Sequence, residues 1–183
     1  MSQHRHGLSI RELSYAALAV VLLTVCAWIS IPTTIPFTMQ NFALVCLLLL
    51  LGGKLGTLAV AAYLLMGAVG LPVFSRMTGG LGALLGTTGG YLLGFLLAAL
   101  VYWLLTALLG ERLWVQVLAL VLGLAVIYMF GTLWYVQVYT QSKGAITWGA
   151  ALAGCVFPFV GPDLGKMALA VLLGRLLKKH VKL

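Results

Sequence analysis

Long apolar runs, broken by short polar or glycine-rich interruptions, fill most of the chain. A helix of about 20 apolar residues crosses the hydrocarbon core of a bilayer, so the pattern predicts six membrane-spanning helices. Their expected ranges are Leu13–Ile31, Phe37–Leu51, Leu55–Leu71, Tyr91–Leu109, Leu113–Val138 and Thr147–Leu177. The second and third are short for a perpendicular span, which favours tilted, bent or extended helices there. We expect the sixth to be broken between Pro158 and Pro162, because proline interrupts helical hydrogen bonding.

The composition agrees with a membrane location. Of the 183 residues, 63% are apolar and only 8% are charged, whereas a soluble domain carries about 25% charged residues. The first apolar run is longer than the hydrophobic region of a signal peptide, and no Ala-x-Ala cleavage site follows it, so we interpret it as a transmembrane helix. The expected fold class is an all-α integral membrane protein with a single membrane domain over residues 1–183.

The distribution of basic residues predicts the orientation. Six spans put both termini on one side of the membrane, and the opposite side then holds only Arg76 and Lys143. The side of the termini holds eight: Arg5, Arg11, Lys54, Arg112, Arg175, Lys178, Lys179 and Lys182. By the positive-inside rule both termini are cytoplasmic. The net charge of +8 therefore reflects topology, and it forms no basic face of the kind that binds nucleic acid.

The connections predict where a cavity lies. The expected outer connections, Pro32–Gln40, Ser75–Gly90 and Tyr139–Ile146, are longer than the inner ones at Gly52–Lys54 and Gly110–Arg112. Long loops are free to form the walls and lid of a binding site, whereas short turns close the other end. The sequence thus predicts a substrate cavity toward the outer face.

Glycines recur every four residues through the middle loop, at Gly82, Gly86, Gly90 and Gly94. Small residues at this spacing let a membrane helix approach a neighbouring backbone closely. Two interpretations stay open, helix packing and direct contact of some glycines with a ligand. A phosphate-binding Walker loop is excluded, because no Gly-Lys pair is followed by Ser or Thr.

One acidic residue, Asp163, lies within a long apolar run, and the other two are Glu12 and Glu111. A carboxylate at mid-depth in a bilayer costs about 3 kcal/mol on insertion scales, so it is expected to have a partner or a ligand. If a helix begins at Pro162, where the missing N–H is no loss, Asp163 and Lys166 project from one face. The pair is interpreted either as a ligand site or as a structural ion pair.

Catalytic and metal-binding groups are poorly represented. The histidines His4, His6 and His180 all lie near the termini, and no two carboxylates share an apolar run, so acid–base catalysis lacks its usual groups. The cysteines Cys26, Cys46 and Cys155 lie in apolar runs without Cys-x-x-Cys spacing and read as small core residues. The sequence predicts neither an enzyme nor a metal or cofactor site.

Four segments together resemble the BioY family, the biotin-specific substrate-binding (S) components of energy-coupling-factor (ECF) vitamin transporters. They cover the chain in order, although each motif alone is weak, and they are Ile35–Asn41, Gly70–Phe74, Gly79–Phe95 and Gly161–Lys166. Thr87 departs from the family pattern, in which proline usually stands before Thr-Gly-Gly. The resemblance implies a high-affinity biotin receptor in a prokaryotic cell membrane, with biotin as transported ligand. Its implied partners are a transmembrane coupling subunit and two ATPase subunits.

The resemblance also implies roles for individual residues. Asp163 would accept from the ureido N–H groups of biotin, Lys166 would donate to the ureido oxygen or brace Asp163, and Arg76 would meet the valerate carboxylate. Further polar contacts or walls of the cavity are assigned to Phe37, Thr38, Gln40, Phe74, Thr88, Gly89, Gly90 and Tyr91. Phe74 is also explained by ordinary packing.

Small residues on the first helix are the predicted contact with the coupling subunit: Ser14, Ala16, Ala17 and Ala19. The family's Ala-x-x-x-Ala pattern is not matched strictly, because Val20 follows Ala16 at that spacing. Two alternatives remain for the whole chain. One is a solitary transporter coupled to protons through Asp163, and the other is an S component for another vitamin such as riboflavin or thiamine.

Overall fold

Helices form nearly all of the regular structure in the computed structural model, which describes residues 8–33 and 35–178. The helices are α1 Ile10–Trp28, α2 Gln40–Ala68, α3 Leu81–Leu85, α4 Gly89–Leu109, α5 Leu113–Lys143, α6 Trp148–Cys155 and α7 Phe157–Lys178. A short antiparallel ribbon pairs β1 Ser30–Ile31 with β2 Phe37–Thr38. A 3₁₀ turn spans Ser75–Met77. The basic residues Arg5, Lys179 and Lys182, used to predict the orientation, lie outside the described residues.

Helix α2 reverses direction at Gly52, whose backbone has φ 75° and ψ 175°. The side-chain amide of Gln40 donates to the hydroxyl of Tyr63 at 2.8 Å, although a continuous helix would separate these residues by roughly 35 Å. The segments 40–51 and 53–68 are therefore two arms folded back on each other. This confirms the break that the sequence predicts between the second and third spans.

Within residues 8–33 and 35–178, five helical stretches are long and apolar enough to cross a membrane: α1, α2, α4, α5 and Trp148–Leu177, which joins α6 to α7. Because α2 bends back on itself at Gly52, it supplies two arms of the bundle, and the exact number of six crossings stays a prediction. The protein is an all-α, multi-pass membrane protein. The cytoplasmic orientation of its termini stays a prediction.

Glycines hold α4 against α5. A Cβ atom added at Gly90 would lie 2.2 Å from Cβ of Trp134, and one added at Gly131 would lie 2.3 Å from the ring of Tyr91. Gly94 meets the backbone of Ile127 in the same way, with 3.2 Å to its Cα. These distances leave no room for a side chain at Gly90 or Gly131 and little at Gly94, so the glycines of this interface allow the two helices to pack closely.

The glycine pattern does not run along a single helix, and that part of the prediction is wrong. Helix α3 ends at Leu85, and Gly86 after it is extended, with φ −72° and ψ −179°. Gly82 has no atom within 4 Å of its added Cβ. Of the four glycines in the pattern, only Gly90 and Gly94 face a neighbouring helix, because the bend at Gly86 takes the preceding turn out of line.

Helix α5 continues five residues beyond the predicted end at Val138, so most of the predicted loop Tyr139–Ile146 is helical. The ammonium of Lys143 lies 5.6 Å from the ring centroid of Tyr139, one turn away, which favours this last turn. The helix ends where Gly144 adopts φ 98°. The apolar pattern predicted the end of the span at Val138 because residues 139–143 are mostly polar. Polar residues can still continue a helix, and here they do.

The break in the last span lies at Val156, with φ −126° and ψ −60°, between α6 and α7. Pro158 occupies the first turn of α7, where a missing N–H is no loss. Pro162 lies inside the helix, so the expectation that a helix begins at Pro162 is wrong. The physical reason is that the earlier proline takes the N-terminal position one turn upstream.

Candidate functional site

A cavity opens at the end of the bundle opposite Gly52, among the starts of α2 and α4, the middle of α5, and α7. Residues of the connections 29–39 and 69–80 line its mouth, as the loop lengths predict. About 670 Å³ of unoccupied space, part of it open to the outside, lies within it. Its polar lining comes from Thr38, Gln40, Asn41, Ser75, Thr78, Thr88, Tyr91, Tyr128, Asp163 and Lys166.

An ion pair on α7 lies in the cavity wall. Nζ of Lys166 is 2.9 Å from Oδ1 of Asp163, and the two side chains are only 9% and 3% exposed. The predicted arrangement of the pair on one helix face is confirmed. Because α7 begins one turn before Pro162, the pair lies in its interior and is held by a formed helix. Burying two charges is costly unless further hydrogen bonds satisfy them.

Two residues that the sequence did not single out complete the surroundings of Asp163. The amide nitrogen of Asn41 donates to Oδ2 at 2.6 Å, and the hydroxyl of Tyr128 donates to the same oxygen at 2.7 Å. Asn41 belongs to the segment Ile35–Asn41 that carries the family resemblance, which is a usable signal. Tyr128 lies in an apolar helix and gives no local signal, since only tertiary packing brings it to the carboxylate.

Lys166 is held by the first outer connection. Its ammonium donates to the carbonyl oxygen of Thr38 at 2.7 Å and lies 3.6 Å from the ring centroid of Phe37. That ring stacks on Phe159, with centroids 5.8 Å apart. Phe37 was predicted to form part of the cavity wall, but it is not among the described residues that line the cavity. It stabilises the cation through its π face, which favours a positive charge.

A hydrogen-bonded chain fixes Gln40 in the wall. The hydroxyl of Thr38 donates to Oε1 of Gln40 at 3.1 Å, and the Gln40 amide donates to Tyr63. Tyr63 in turn donates to the carbonyl oxygen of Val73 at 2.9 Å. The two outer connections are therefore tied to both arms of α2, so that these polar side chains lie in the cavity already oriented.

Of the predicted residues at the start of α4, the side chains of Thr88 and Tyr91 line the cavity. The Tyr91 hydroxyl shares a hydrogen bond of 3.0 Å with Thr132 on α5. Gly89 and Gly90 are buried in packing contacts. A Cβ atom at Gly89 would lie 1.8 Å from the carbonyl oxygen of Leu84, which assigns this glycine a structural role whatever else it contacts.

Arg76 is exposed, and it lies beside Ser75, which lines the cavity. Its guanidinium donates to the carbonyl oxygen of Thr33 at 3.2 Å, which joins the two outer connections. Its φ of 57° is unusual for a residue with a side chain. Arg76 is not itself among the described residues that line the cavity, and it adjoins the rim only through its neighbour Ser75. Phe74 is 1% exposed and lines the cavity, where it packs edge-on against Tyr63.

The predicted partner-contact residues on α1 differ in exposure. Ser14 and Ala17 are exposed, and Ala16 is half-buried. Ala19 is 6% exposed and packs within this chain. Three of the four predicted contact residues are therefore at least partly accessible, and Ala19 is not.

The whole chain matches one family model. It is described as the BioY family and covers residues 1–183. The protein named biotin transporter BioY from Thermotoga maritima is 42% identical over 172 residues, which are 93% of this chain and 97% of the relative. A probable biotin transporter BioY from Pyrococcus horikoshii is 37% identical over 169 residues, which are 92% and 96% of the two chains.

One solved structure shares the fold. It is the crystal structure, at 2.1 Å, of the S-component for biotin from an ECF-type ABC transporter. Its TM-score is 0.79 at 24% sequence identity, and the match covers 98% of this chain and 95% of that chain. The family model and the identity to full-length relatives extend over the segments that form the cavity. The chain therefore belongs to the BioY family.

Proposed function

We propose that this chain is the biotin-binding subunit, or S component, of an ATP-driven ECF-type uptake transporter in a prokaryotic cell membrane. One observation carries the proposal. A buried carboxylate and a buried ammonium, 2.9 Å apart, lie in the wall of a cavity whose lining combines polar and apolar residues. We take biotin as the substrate because the full-length relatives are named as biotin transporters.

The hydrogen-bonding capacity of the pair matches a cyclic urea. A carboxylate offers about four acceptor positions and an ammonium three donors. Asp163 accepts from Lys166, Asn41 and Tyr128, which leaves about one acceptor position. Lys166 donates to Asp163 and to Thr38, which leaves one N–H without an oxygen acceptor among the described residues. A urea presents an N–H beside a C=O, so it fits a neighbouring acceptor and donor.

Apolar and rim residues accommodate the rest of biotin. The side chains of Phe74, Leu92, Phe95, Ile127 and Phe159 line the cavity and suit the fused rings and thioether. We assign the valerate carboxylate to Arg76 at the rim, where a guanidinium offers two parallel donors. Gln40, Thr38, Thr88 and Tyr91 supply polar contacts between the two ends.

Energy for uptake comes from other subunits in this proposal. The chain carries no Walker motif, so we assign ATP hydrolysis to two ATPase subunits joined through a transmembrane coupling subunit. The chain itself is a receptor without catalytic groups, and biotin is its cargo, not a cofactor. The first half of α1, with Ser14, Ala16 and Ala17, is the assigned contact.

Calorimetric titration of the purified, detergent-solubilised chain with biotin tests the binding role. We expect tight one-to-one binding of biotin, with no heat from riboflavin or thiamine. No heat from biotin with a protein shown to be folded would contradict the proposal. Uptake by the chain alone in proteoliposomes, abolished by an uncoupler, would favour the solitary proton-coupled alternative.

The coupling contact is tested by Ala16→Trp. A bulky ring on the half-buried side of α1 should prevent close approach of another helix, so co-purification of a co-expressed coupling subunit should fall severalfold. Val21→Trp is the matched control, because Val21 is 57% exposed on another side of α1. Wild-type yield of the complex with Ala16→Trp would contradict the assignment.

A further inference from the structure

The buried ammonium of Lys166 has an aromatic ring as its third neighbour. Two oxygens accept from it, Oδ1 of Asp163 at 2.9 Å and the carbonyl oxygen of Thr38 at 2.7 Å. The ring centroid of Phe37 lies 3.6 Å from Nζ. The two other cation–ring contacts among the described residues measure 5.6 and 5.7 Å and involve exposed cations. The contact at Phe37 is therefore both closer and less hydrated.

A ring face stabilises a cation in a different way from an oxygen. Its quadrupole attracts the positive charge as a whole, and the attraction is strongest where water is excluded. The Lys166 side chain is only 9% exposed, so that condition is met. An oxygen in the place of the ring would accept the third N–H and fix its direction. The ring instead offsets part of the cost of burying the charge and leaves that N–H available.

The Phe37 ring is held in place from two sides. It stacks on Phe159 of α7, with centroids 5.8 Å apart and an angle of 27° between the planes. Its backbone lies in β2, opposite Ile31 of β1. Two residues further on, the N–H of Met39 donates to the carbonyl oxygen of Cys26 at 3.1 Å. The ribbon, α1 and α7 thus together fix the ring over the ammonium.

Phe37 is connected to the cavity through its neighbours. The cavity wall includes Lys166, Thr38 and Phe159, whereas Phe37 is not among the described residues that line it. The ring therefore contacts the charge that faces the cavity without itself facing the cavity. Any effect of its π electrons on a ligand must pass through the ammonium.

We propose that Phe37 is a positioning residue of the biotin site, whose π face holds the Lys166 ammonium in the cavity wall and leaves one N–H for the ureido oxygen. This inference rests on the proposed function. It follows that the affinity for biotin depends on the electron density of the ring as well as on its size. A ring of similar shape with less electron density should weaken binding, because it attracts the cation less.

The test changes the electrons of the ring with little change in its shape. Phe37 is replaced by phenylalanines that carry one, two or three ring fluorines, introduced by nonsense suppression, since each fluorine withdraws density from the π face. Calorimetric titration measures the affinity of each purified chain for biotin. Phe130 is the matched control position, because it is also half-buried and packs against a ring, that of Trp134, with centroids 6.2 Å apart.

We expect the affinity for biotin to fall with each fluorine at Phe37, to a loss of about tenfold with three. The same series at Phe130 should leave the affinity unchanged. Without ligand, the unfolding temperature should also fall along the Phe37 series. In a Lys166→Met background it should not, because the cation on which the ring acts is then missing. A purely structural ring would show no such dependence on Lys166.

Two results would overturn the inference. If the fluorinated chains bind biotin as the wild type does while Phe37→Leu binds it more weakly, then the ring acts by its size alone. If the series lowers the unfolding temperature equally with and without Lys166, then the ring does not act through the ammonium. A folded wild type that does not bind biotin would instead refute the proposed function, and the ligand-free comparison would still decide whether Phe37 stabilises Lys166.

Discussion

Helix α5 meets two neighbours in opposite ways. Toward α4 its glycines and the side chain of Trp134 leave no space, since an added Cβ at Gly90 or Gly131 would overlap its neighbour. Toward α7 the same helix presents Tyr128 to a buried carboxylate at the wall of a cavity. One face of α5 is thus used for contact between backbones, and another for polar recognition.

The difference shows how a small membrane protein keeps a polar cavity. Lipid offers no hydrophobic driving force between helices, so association depends on close packing and interhelical hydrogen bonds. The α4–α5 contact supplies the packing. The cavity side can then retain buried groups with incomplete partners, such as the side-chain oxygen of Asn41, because its walls are held by neighbouring contacts and not by the cavity itself.

The largest expected effect comes from breaking the packed side with Gly90→Val. The new Cβ would lie 2.2 Å from Cβ of Trp134, and that atom cannot move without its helix. We expect a loss at or above the upper end of the roughly 1–3 kcal/mol that overpacking costs. Thermal unfolding of the purified protein in detergent measures it.

Gly82→Ala is the control for this change, because no atom lies within 4 Å of the added Cβ. Its unfolding temperature should stay at the wild-type value. A Gly90→Val protein with wild-type stability and lost biotin binding would instead support the alternative that Gly90 contacts the ligand.

The next effect comes from the cavity side with Asp163→Asn. This change keeps the shape of the side chain, removes its charge, and leaves the buried Lys166 without a counter-charge. A hydrogen bond to a charged group contributes about 1.5–3 kcal/mol, so the affinity for biotin should fall more than tenfold. Calorimetric titration measures the loss.

Glu12→Gln is the matched change elsewhere on the chain, since Glu12 closes a capping box at the start of α1 that glutamine also forms. It should bind biotin as the wild type does. If Asp163→Asn lowers stability but leaves the affinity unchanged, then the pair is structural, the alternative that the sequence left open.

The smallest effect is expected at the rim with Arg76→Gln. An exposed charge pair contributes about 0.2–1 kcal/mol, so the affinity for biotin should fall by no more than about fivefold. The amide of biotin, which lacks the carboxylate, should bind both proteins equally. Lys143→Gln removes another basic residue predicted on the same side and should change neither affinity. Equal losses for biotin and its amide would contradict the assignment of the carboxylate to Arg76.

Some features of this protein follow from the sequence alone because their causes are local. A run of apolar residues specifies a membrane helix through its length. Most of the predicted span ends therefore lie within a few residues of the observed helix ends. A spacing of three on a helix specifies a shared face, so the Asp163–Lys166 pair was predicted correctly. The start of α7 at Phe157 was not predicted, because Pro158 and Pro162 are both compatible with the first turn of a helix and the sequence does not choose between them.

Other features were decided by the tertiary structure. The partners of Asp163 lie 122 and 35 residues away in sequence, at Asn41 and Tyr128, and no local pattern joins them. The φ of Gly52 reverses α2 and brings Gln40 to Tyr63, and this reversal places Asn41 at the cavity end. The sequence by itself determined the membrane helices and the charged pair. The packing of helices distant in the chain decided which atoms surround that pair.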